Sequence, residues 1–105
     1  MTADQGLNTR ADMEAAGSRV AELIERGESL AALGWRIVDA HNHLGPTMSF
    51  YIPQPDAASM VALMDRLGVN LAGVSSHLAV GPDNMRGNDL TAAAVRDYPG
   101  RFFGY

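Results

Sequence analysis

The stretch RIVDAHNHLGP, residues 36–46, places two of the chain's three histidines one residue apart at the end of a short apolar segment. The β-branched side chains of Ile37 and Val38 favour an extended backbone. A Gly-Pro pair at residues 45–46 then ends the segment. We therefore predict a β-strand near residues 35–40, with both of its faces buried.

Side chains alternate between the two sides of an extended backbone. This alternation sends Asp39, His41 and His43 to one side, and Ala40 and Asn42 to the other. Two imidazoles are then aimed at one point, and neutral imidazole is a good ligand for zinc, nickel, iron and manganese. We expect His41 and His43 to hold a divalent metal, zinc first among them, with the remaining ligands supplied from elsewhere.

Three further residues are candidates for the same site. His77 closes a second apolar segment, and it is interpreted as a third ligand, as a substrate contact or as a polar strand end without further role. Asp39 sits deeper in the strand and is either a ligand or an acceptor that fixes an imidazole tautomer. Asn42 is the other candidate for such an outer position around the metal.

The rest of the chain predicts one helix followed by a β-α-β-α-β order. Residues 9–33 carry apolar and small side chains at helical spacing, with Gly27 ending the helix and a short turn before Gly34. This order favours parallel strands joined by right-handed crossovers. The later elements are predicted as a helix from an Asp56 cap to Gly68, a strand at residues 71–76, a helix from Asn88 or Asp89 to about Asp97, and a strand at residues 101–105.

The spacing of the strands adds a constraint on the fold. They are predicted to start near Ile37, Leu71 and Phe102, which are 34 and 31 residues apart. A (β/α)8 barrel of about 250 residues uses about this interval for each unit. The predicted fold is therefore α/β, an incomplete TIM barrel with its first two to three units. Residues 1–34 form an N-terminal helical extension, and residues 35–105 form the truncated barrel part.

Two other segments near the predicted site carry weaker signals. GVSSH, residues 73–77, lacks the second glycine of a nucleophile elbow, so Ser75 and Ser76 are interpreted as polar strand-end residues. Residues 47–55 hold aromatic side chains between prolines and predict a loop. Four of its side chains either line a substrate pocket or cover core, namely Met48, Phe50, Tyr51 and Ile52.

The amino-acid composition excludes some classes of function and of partner. The chain has 105 residues, enough for one modest domain, and its 47% hydrophobic and 19% charged residues are typical of a globular protein. A formal net charge of -4 argues against nucleic acid or an anionic membrane as a partner. The absence of cysteine and lysine excludes disulfides, thiol nucleophiles and Schiff-base catalysis within this chain. The sequence has no signal-peptide or membrane-span pattern, and we expect a cytoplasmic protein.

Three segments together resemble the opening of the amidohydrolase-related family, the metal-dependent hydrolases of the amidohydrolase superfamily. They are IVDAHNHLGP at residues 37–46, DAASMVALMDRLGVNLAGV at residues 56–74 and NDLTAAAVRDYPGRFFGY at residues 88–105. The resemblance covers residues 36–105, and its most specific part is YPGRFFGY at its distance from the HxH pair. It implies a (β/α)8 barrel with one or two divalent metals, commonly zinc, at the carboxyl end of its strands.

The same resemblance implies an activity on a small-molecule substrate. Members hydrolyse amide, lactone or related bonds, and some decarboxylate aromatic or unsaturated acids. His41 and His43 match the ligand pair of the family's first strand, where the metal activates a water molecule. The family's histidines of the fifth and sixth strands and its carboxylate of the eighth strand have no counterparts here. The chain is therefore expected to be the N-terminal part of such an enzyme, inactive alone.

Two alternatives remain open. One is a phosphoesterase of the polymerase-and-histidinol-phosphatase type, whose first strand carries HxH and whose second strand ends in histidine, like His77. Against it, the segment around His77 lacks the preceding Asp usual in such proteins. The other is a non-catalytic fragment that binds a partner or a second copy of itself, as a homo-oligomer, through an exposed strand edge and an uncovered aromatic strand.

Overall fold

The structure is a computed structural model that describes residues 9–105. In this part of the chain, four α-helices and one 3-10 turn accompany three β-strands. In chain order the elements are α1 (Arg10–Glu25), a 3-10 turn (Leu30–Leu33), β1 (Val38–Leu44), α2 (Ala57–Leu67), β2 (Leu71–Ser76), α3 (His77–Val80), α4 (Asn84–Asp97) and β3 (Phe102–Gly104). The predicted order is confirmed, with the short helix α3 added directly after β2. Between residues 9 and 105, no helix has the length and apolar character needed to cross a membrane.

The three strands form one parallel sheet in the order β1-β2-β3. His43 of β1 stands opposite Ser75 of β2, and Ala72 of β2 stands opposite Phe102 of β3. Since parallel neighbours need a crossover, α2 connects β1 to β2, and α3 and α4 connect β2 to β3. Residues 9–105 thus form a mixed α/β fold around an open three-stranded sheet.

One face of this sheet packs against α2 and α4. Val74 in the middle strand is 0% exposed, because β2 has a neighbour on each side and helices over it. Thr91 of α4 also reaches this face, where its hydroxyl accepts a hydrogen bond from the backbone N–H of Ser76 at 2.9 Å. The buried cluster joins both helices to all three strands and comprises Leu44, Met64, Ala72, Val74, Ala94 and Phe102.

The prediction that the first strand is buried on both faces is wrong. Residues 38–41 are exposed, and Val38 keeps 48% of its surface accessible. β1 is an edge strand, and only its last residue, Leu44, belongs to the buried cluster. A short apolar run with β-branched residues has the same composition in a central and in an edge strand, so the pattern alone does not separate the two.

The predicted start of the last helix is also wrong. The sequence predicts that this helix starts at Asn88 or Asp89, whereas α4 begins at Asn84. The earlier start has a local cause, since the carboxylate of Asp83 accepts a hydrogen bond from the backbone N–H of Arg86 at 3.0 Å and so caps the helix.

The helix and the short turn predicted within residues 9–33 are present. Thr9 caps α1 by accepting from the backbone N–H of Asp12 at 3.1 Å. Gly27, with φ of 65°, follows the end of α1, and Gly34, with φ of 71°, ends the 3-10 turn. Residues 1–8 of the predicted extension lie outside the described residues.

Candidate metal site at the carboxyl end of the sheet

The candidate site lies where the adjacent strands β1 and β2 end. His41 and His43 belong to the second half of β1, and His77 is the first residue after β2. Parallel strands bring their carboxyl ends to one edge of a sheet, which is where open and closed α/β folds bind their ligands. All three histidines of the chain are therefore at this edge.

The rings of His41 and His43 approach each other through their Nε2 atoms. Their Nε2 atoms are 3.1 Å apart, and the rings meet edge to face, with centroids 4.9 Å apart at 79°. Two neutral lone pairs at this distance repel unless a proton or a cation lies between them. Two imidazole nitrogens bound to one tetrahedral zinc at 2.0–2.1 Å would be separated by about 3.3 Å. The separation of the two Nε2 atoms thus fits an N–H···N hydrogen bond between the rings and lies close to the separation that a shared divalent metal would require.

His43 has an outer partner that fixes its tautomer. Its Nδ1 lies 3.1 Å from the hydroxyl of Ser75 and 3.3 Å from the Ser75 carbonyl oxygen. A carbonyl oxygen only accepts, so the contact favours a proton on Nδ1. The lone pair of Nε2 is then free and directed at His41. Metal-binding histidines characteristically have such a partner.

Ser75 is a residue of the candidate site for which the sequence predicts only a polar strand end. In a parallel pair, residues opposite each other project to the same face, and Ser75 stands opposite His43. This pairing follows from the observed strand ends, Leu44 and Ser76. The predicted first strand ends at Ala40, before His43, so the predicted strands give no such pairing.

Asp39 contacts the backbone of the site rather than an imidazole. Its carboxylate accepts a hydrogen bond from the N–H of His41 at 3.2 Å. The register of β1 shifts between Asp39 and Asn42, so β1 contains one residue more than β2 over this stretch. Strict alternation therefore does not hold from Asp39 to His43. Asp39 instead stands opposite Ala72, a residue of the buried cluster.

Asn42 lies away from the imidazole pair. It is half-buried and stands opposite Val74, which faces the helices. Since opposite residues in a parallel pair share a face, Asn42 projects to the helix side. The structure thus places Asn42 on the face opposite to His43, as simple alternation predicts for that residue.

His77 contacts the loop after β1 and does not join His41 and His43 as a third metal ligand. Its Nδ1 donates to the carbonyl oxygen of Gly45 at 2.9 Å. The ring packs on His43, with centroids 4.8 Å apart and planes tilted by 33°, and it meets the edge of Phe50 at 6.1 Å. In the part of the chain that the structure describes, no three His, Asp or Glu side chains come together as a metal-ligand group.

The loop at residues 47–55 lies beside this site, with Phe50 against His77. Met48, Phe50 and Tyr51 are 84%, 61% and 88% exposed, so they do not cover core, whereas Ile52 is half-buried. The ends of the loop are held together, because the N–H of Gly45 donates to the carbonyl oxygen of Pro55 at 2.8 Å. The loop is therefore a closed segment with an apolar tip next to the histidines.

Comparison of the chain with models of known protein families, with curated proteins and with solved structures found no match. The geometry of His41, His43 and their partners and the motifs at residues 37–46, 56–74 and 88–105 are therefore the features of this chain that point to a function.

Proposed function

We propose that this chain is the N-terminal part of a metal-dependent hydrolase of the amidohydrolase type, in which His41 and His43 hold a divalent metal, most readily zinc. The observation that carries the proposal is the 3.1 Å separation of their Nε2 atoms. The Ser75 contacts of the His43 Nδ1 support it, because they leave the Nε2 lone pair available.

The strand order is compatible with the barrel part of the proposal. Parallel strands in chain order, β1-β2-β3, are the arrangement of successive units in a (β/α)8 barrel. One half of a doubly wound sheet also has three strands in this order, so the barrel rests on the strand spacing and on the family resemblance. The histidine pair also lies at the carboxyl end of the strands, which is the catalytic end of such barrels.

A divalent metal bound here would polarise the scissile bond of a small-molecule substrate and lower the pKa of a bound water. The residues of this chain supply two ligands and their orientation. His41 and His43 bind the cation, and Ser75 keeps Nδ1 of His43 protonated. A catalytic metal normally has three protein ligands, and we propose that the others come from later strands of the same barrel. The chain alone is therefore expected to bind metal without turnover.

One observation favours a second candidate, the phosphoesterase. The ring of His77 lies 4.8 Å from that of His43, at the end of the second strand where such an enzyme places a ligand. Its Nδ1 is occupied by Gly45, but this contact leaves Nε2 free. The two candidates therefore differ in whether His77 contributes to metal affinity.

The test is a titration of the purified chain with Co²⁺, in which binding is monitored by visible absorption. Zn²⁺ affinity is then measured by competition with a chelator. We expect one equivalent to bind to the wild type. The double variant His41→Ala with His43→Ala should lose at least tenfold in affinity, because both nitrogens are removed. Circular dichroism checks that each variant is folded.

His77→Ala separates the two candidates, and the single variant His43→Ala is its comparison, since each removes one imidazole from the same edge of the sheet. An affinity of His77→Ala close to that of the wild type favours the amidohydrolase type, and a loss comparable to that of His43→Ala favours the phosphoesterase. Metal binding that is unchanged in the double variant would show that His41 and His43 are not the ligands.

A further inference from the structure

Tyr105 reaches across the sheet to the strand that carries the histidine pair. It follows β3 directly, and its phenol hydroxyl donates to the carbonyl oxygen of Ala40 in β1 at 2.5 Å. The side chain thus spans the middle strand β2. Its own backbone is anchored, because the N–H of Tyr105 donates to the carbonyl oxygen of Val74 at 3.2 Å.

A glycine in the middle strand makes this crossing possible. A Cβ atom at Gly73 would lie 2.6 Å from Cζ of Phe103 and 2.8 Å from the carbonyl oxygen of Ala40. Phe103 and Tyr105 pack side by side on this face, with ring centroids 6.1 Å apart. The ring of Phe103 therefore occupies the space that a side chain at residue 73 would take, and the Tyr105 ring lies beside it.

The peptide group between Ala40 and His41 is hydrogen-bonded at both ends. Its carbonyl oxygen accepts from the Tyr105 hydroxyl, and its N–H donates to the carboxylate of Asp39 at 3.2 Å. This peptide lies where the pairing of β1 with β2 shifts register, so the ladder leaves its orientation less determined than elsewhere. Two side chains thus fix the plane from which the His41 side chain departs.

We propose that Tyr105 is a positioning residue for His41, acting through the Ala40 carbonyl to aim the imidazole at His43. Its part in metal binding rests on the function proposed above, whereas its effect on ring orientation holds in the metal-free chain. The two imidazoles are then held by different strands: Ser75 of β2 orients the ring of His43, and Tyr105 after β3 orients the backbone of His41.

The test compares Tyr105→Phe, which keeps the ring and removes the hydroxyl, with the matched control Tyr98→Phe. Tyr98 is half-buried and packs against Phe102, at a ring-centroid distance of 6.1 Å. In the metal-free chain, NMR measures the side-chain ¹H–¹⁵N signals of His41 and its ring-to-ring contacts with His43. Both should change in Tyr105→Phe and stay as in the wild type in Tyr98→Phe. Co²⁺ affinity should fall about tenfold in Tyr105→Phe, the lower end for loss of an outer partner.

Asp39 provides a second pair of variants at the other end of the same peptide. Asp39→Asn keeps an oxygen that accepts from the His41 N–H, and should preserve the His41 spectrum. Asp39→Ala removes the acceptor, and should reproduce the change seen in Tyr105→Phe. This pair tests the proposal even where Tyr105→Phe is too unstable to measure.

The outcomes separate the two proposals. A wild-type chain that binds no Co²⁺ contradicts the proposed function, while the His41 spectra still decide the role of Tyr105. The positioning role is overturned when Tyr105→Phe leaves the His41 signals unchanged. Where Tyr105→Phe is too unstable to measure, it is overturned when Asp39→Ala leaves those signals unchanged. It is equally overturned when Tyr98→Phe alters those signals as much as Tyr105→Phe does.

Discussion

The imidazole of His77 donates from Nδ1 to the carbonyl oxygen of Gly45 at 2.9 Å, and so joins the first residue of α3 to the turn that ends β1. Gly45 has a φ of 80° and also donates its N–H to Pro55, which closes the loop between them. His77 is therefore tied to both ends of the loop through one glycine. Its ring also lies between His43 and Phe50, and so places the apolar tip of that loop beside the imidazole pair.

This contact predicts that His77→Ala releases the loop. Phe50 and Tyr51 are exposed at the loop tip, and both are cleavage sites for chymotrypsin. Cleavage after these residues, followed by mass spectrometry, should be faster in His77→Ala than in the wild type. His77→Asn is the matched control, because its amide N–H can replace Nδ1 as the donor to Gly45 and should restore slow cleavage. Equal cleavage rates in wild type and His77→Ala would contradict the role of the contact.

The pairing of His41 with His43 is the part of the site that sequence spacing predicts best. Residues two apart in an extended segment share a side, and their Nε2 atoms lie 3.1 Å apart. The position of Asp39 was beyond that reasoning, because it depends on the register shift in β1. A register shift of this kind arises from pairing with β2, and residues 36–46 alone carry no signal for it.

The contacts of Ser75 and Tyr105 were inaccessible for a related reason. Each one joins residues that are more than 30 positions apart, and it exists only once the three strands are aligned. Local signals were sufficient for the helix between Asp56 and Gly68, whose cap and stop lie within the segment itself. Local reasoning failed for β1, whose exposure depends on which strands stand beside it.

Ser75→Ala should weaken metal binding by about tenfold, the lower end of the range for removing an outer hydrogen-bond partner. The effect is limited because Nδ1 of His43 keeps the Ser75 carbonyl oxygen at 3.3 Å. Co²⁺ titration measures the change, and Ser18→Ala is the control, since that exposed hydroxyl bonds only within α1. An affinity equal to that of the control would mean that the Ser75 hydroxyl does not orient the ring.

Gly73→Ala should destabilise the fold by about 1–3 kcal/mol, the usual range for overpacking. The new methyl group would lie 2.8 Å from the backbone oxygen of Ala40, which cannot move without disturbing β1. The control is Gly17→Ala in α1, where nothing lies within 4 Å of the added Cβ. That change should stabilise by about 0.5–1 kcal/mol, because alanine favours a helix. Urea unfolding measures both values, and destabilisation by Gly17→Ala as large as that by Gly73→Ala would remove the steric explanation.

The cap of α2 predicts a pH dependence of stability. The backbone N–H of Ser59 donates to Asp56 at 2.8 Å, and the Ser59 hydroxyl donates at 2.9 Å. These bonds favour the charged carboxylate and lower the pKa of Asp56 below its ordinary value. A carboxyl whose pKa is lower in the folded than in the unfolded chain stabilises the fold above the unfolded value, about 3.9. This stabilisation is lost as the pH falls through the folded-state pKa.

Asp56→Asn isolates the effect of that charge, because asparagine also caps helices and does not titrate in this range. Thermal unfolding of both proteins should be followed by circular dichroism at pH 7, 5 and 3. We expect the wild type to have the higher midpoint at pH 7 and 5, and the gap between the two midpoints to narrow at pH 3. Below about 3.9 the unfolded wild-type chain binds a proton at Asp56 that the folded chain, with its lower pKa, binds less readily. All other titrating groups are common to both chains, so they cancel in the difference. A gap that stays constant from pH 7 to 3 would mean that ionised Asp56 contributes no more to α2 than its neutral form does.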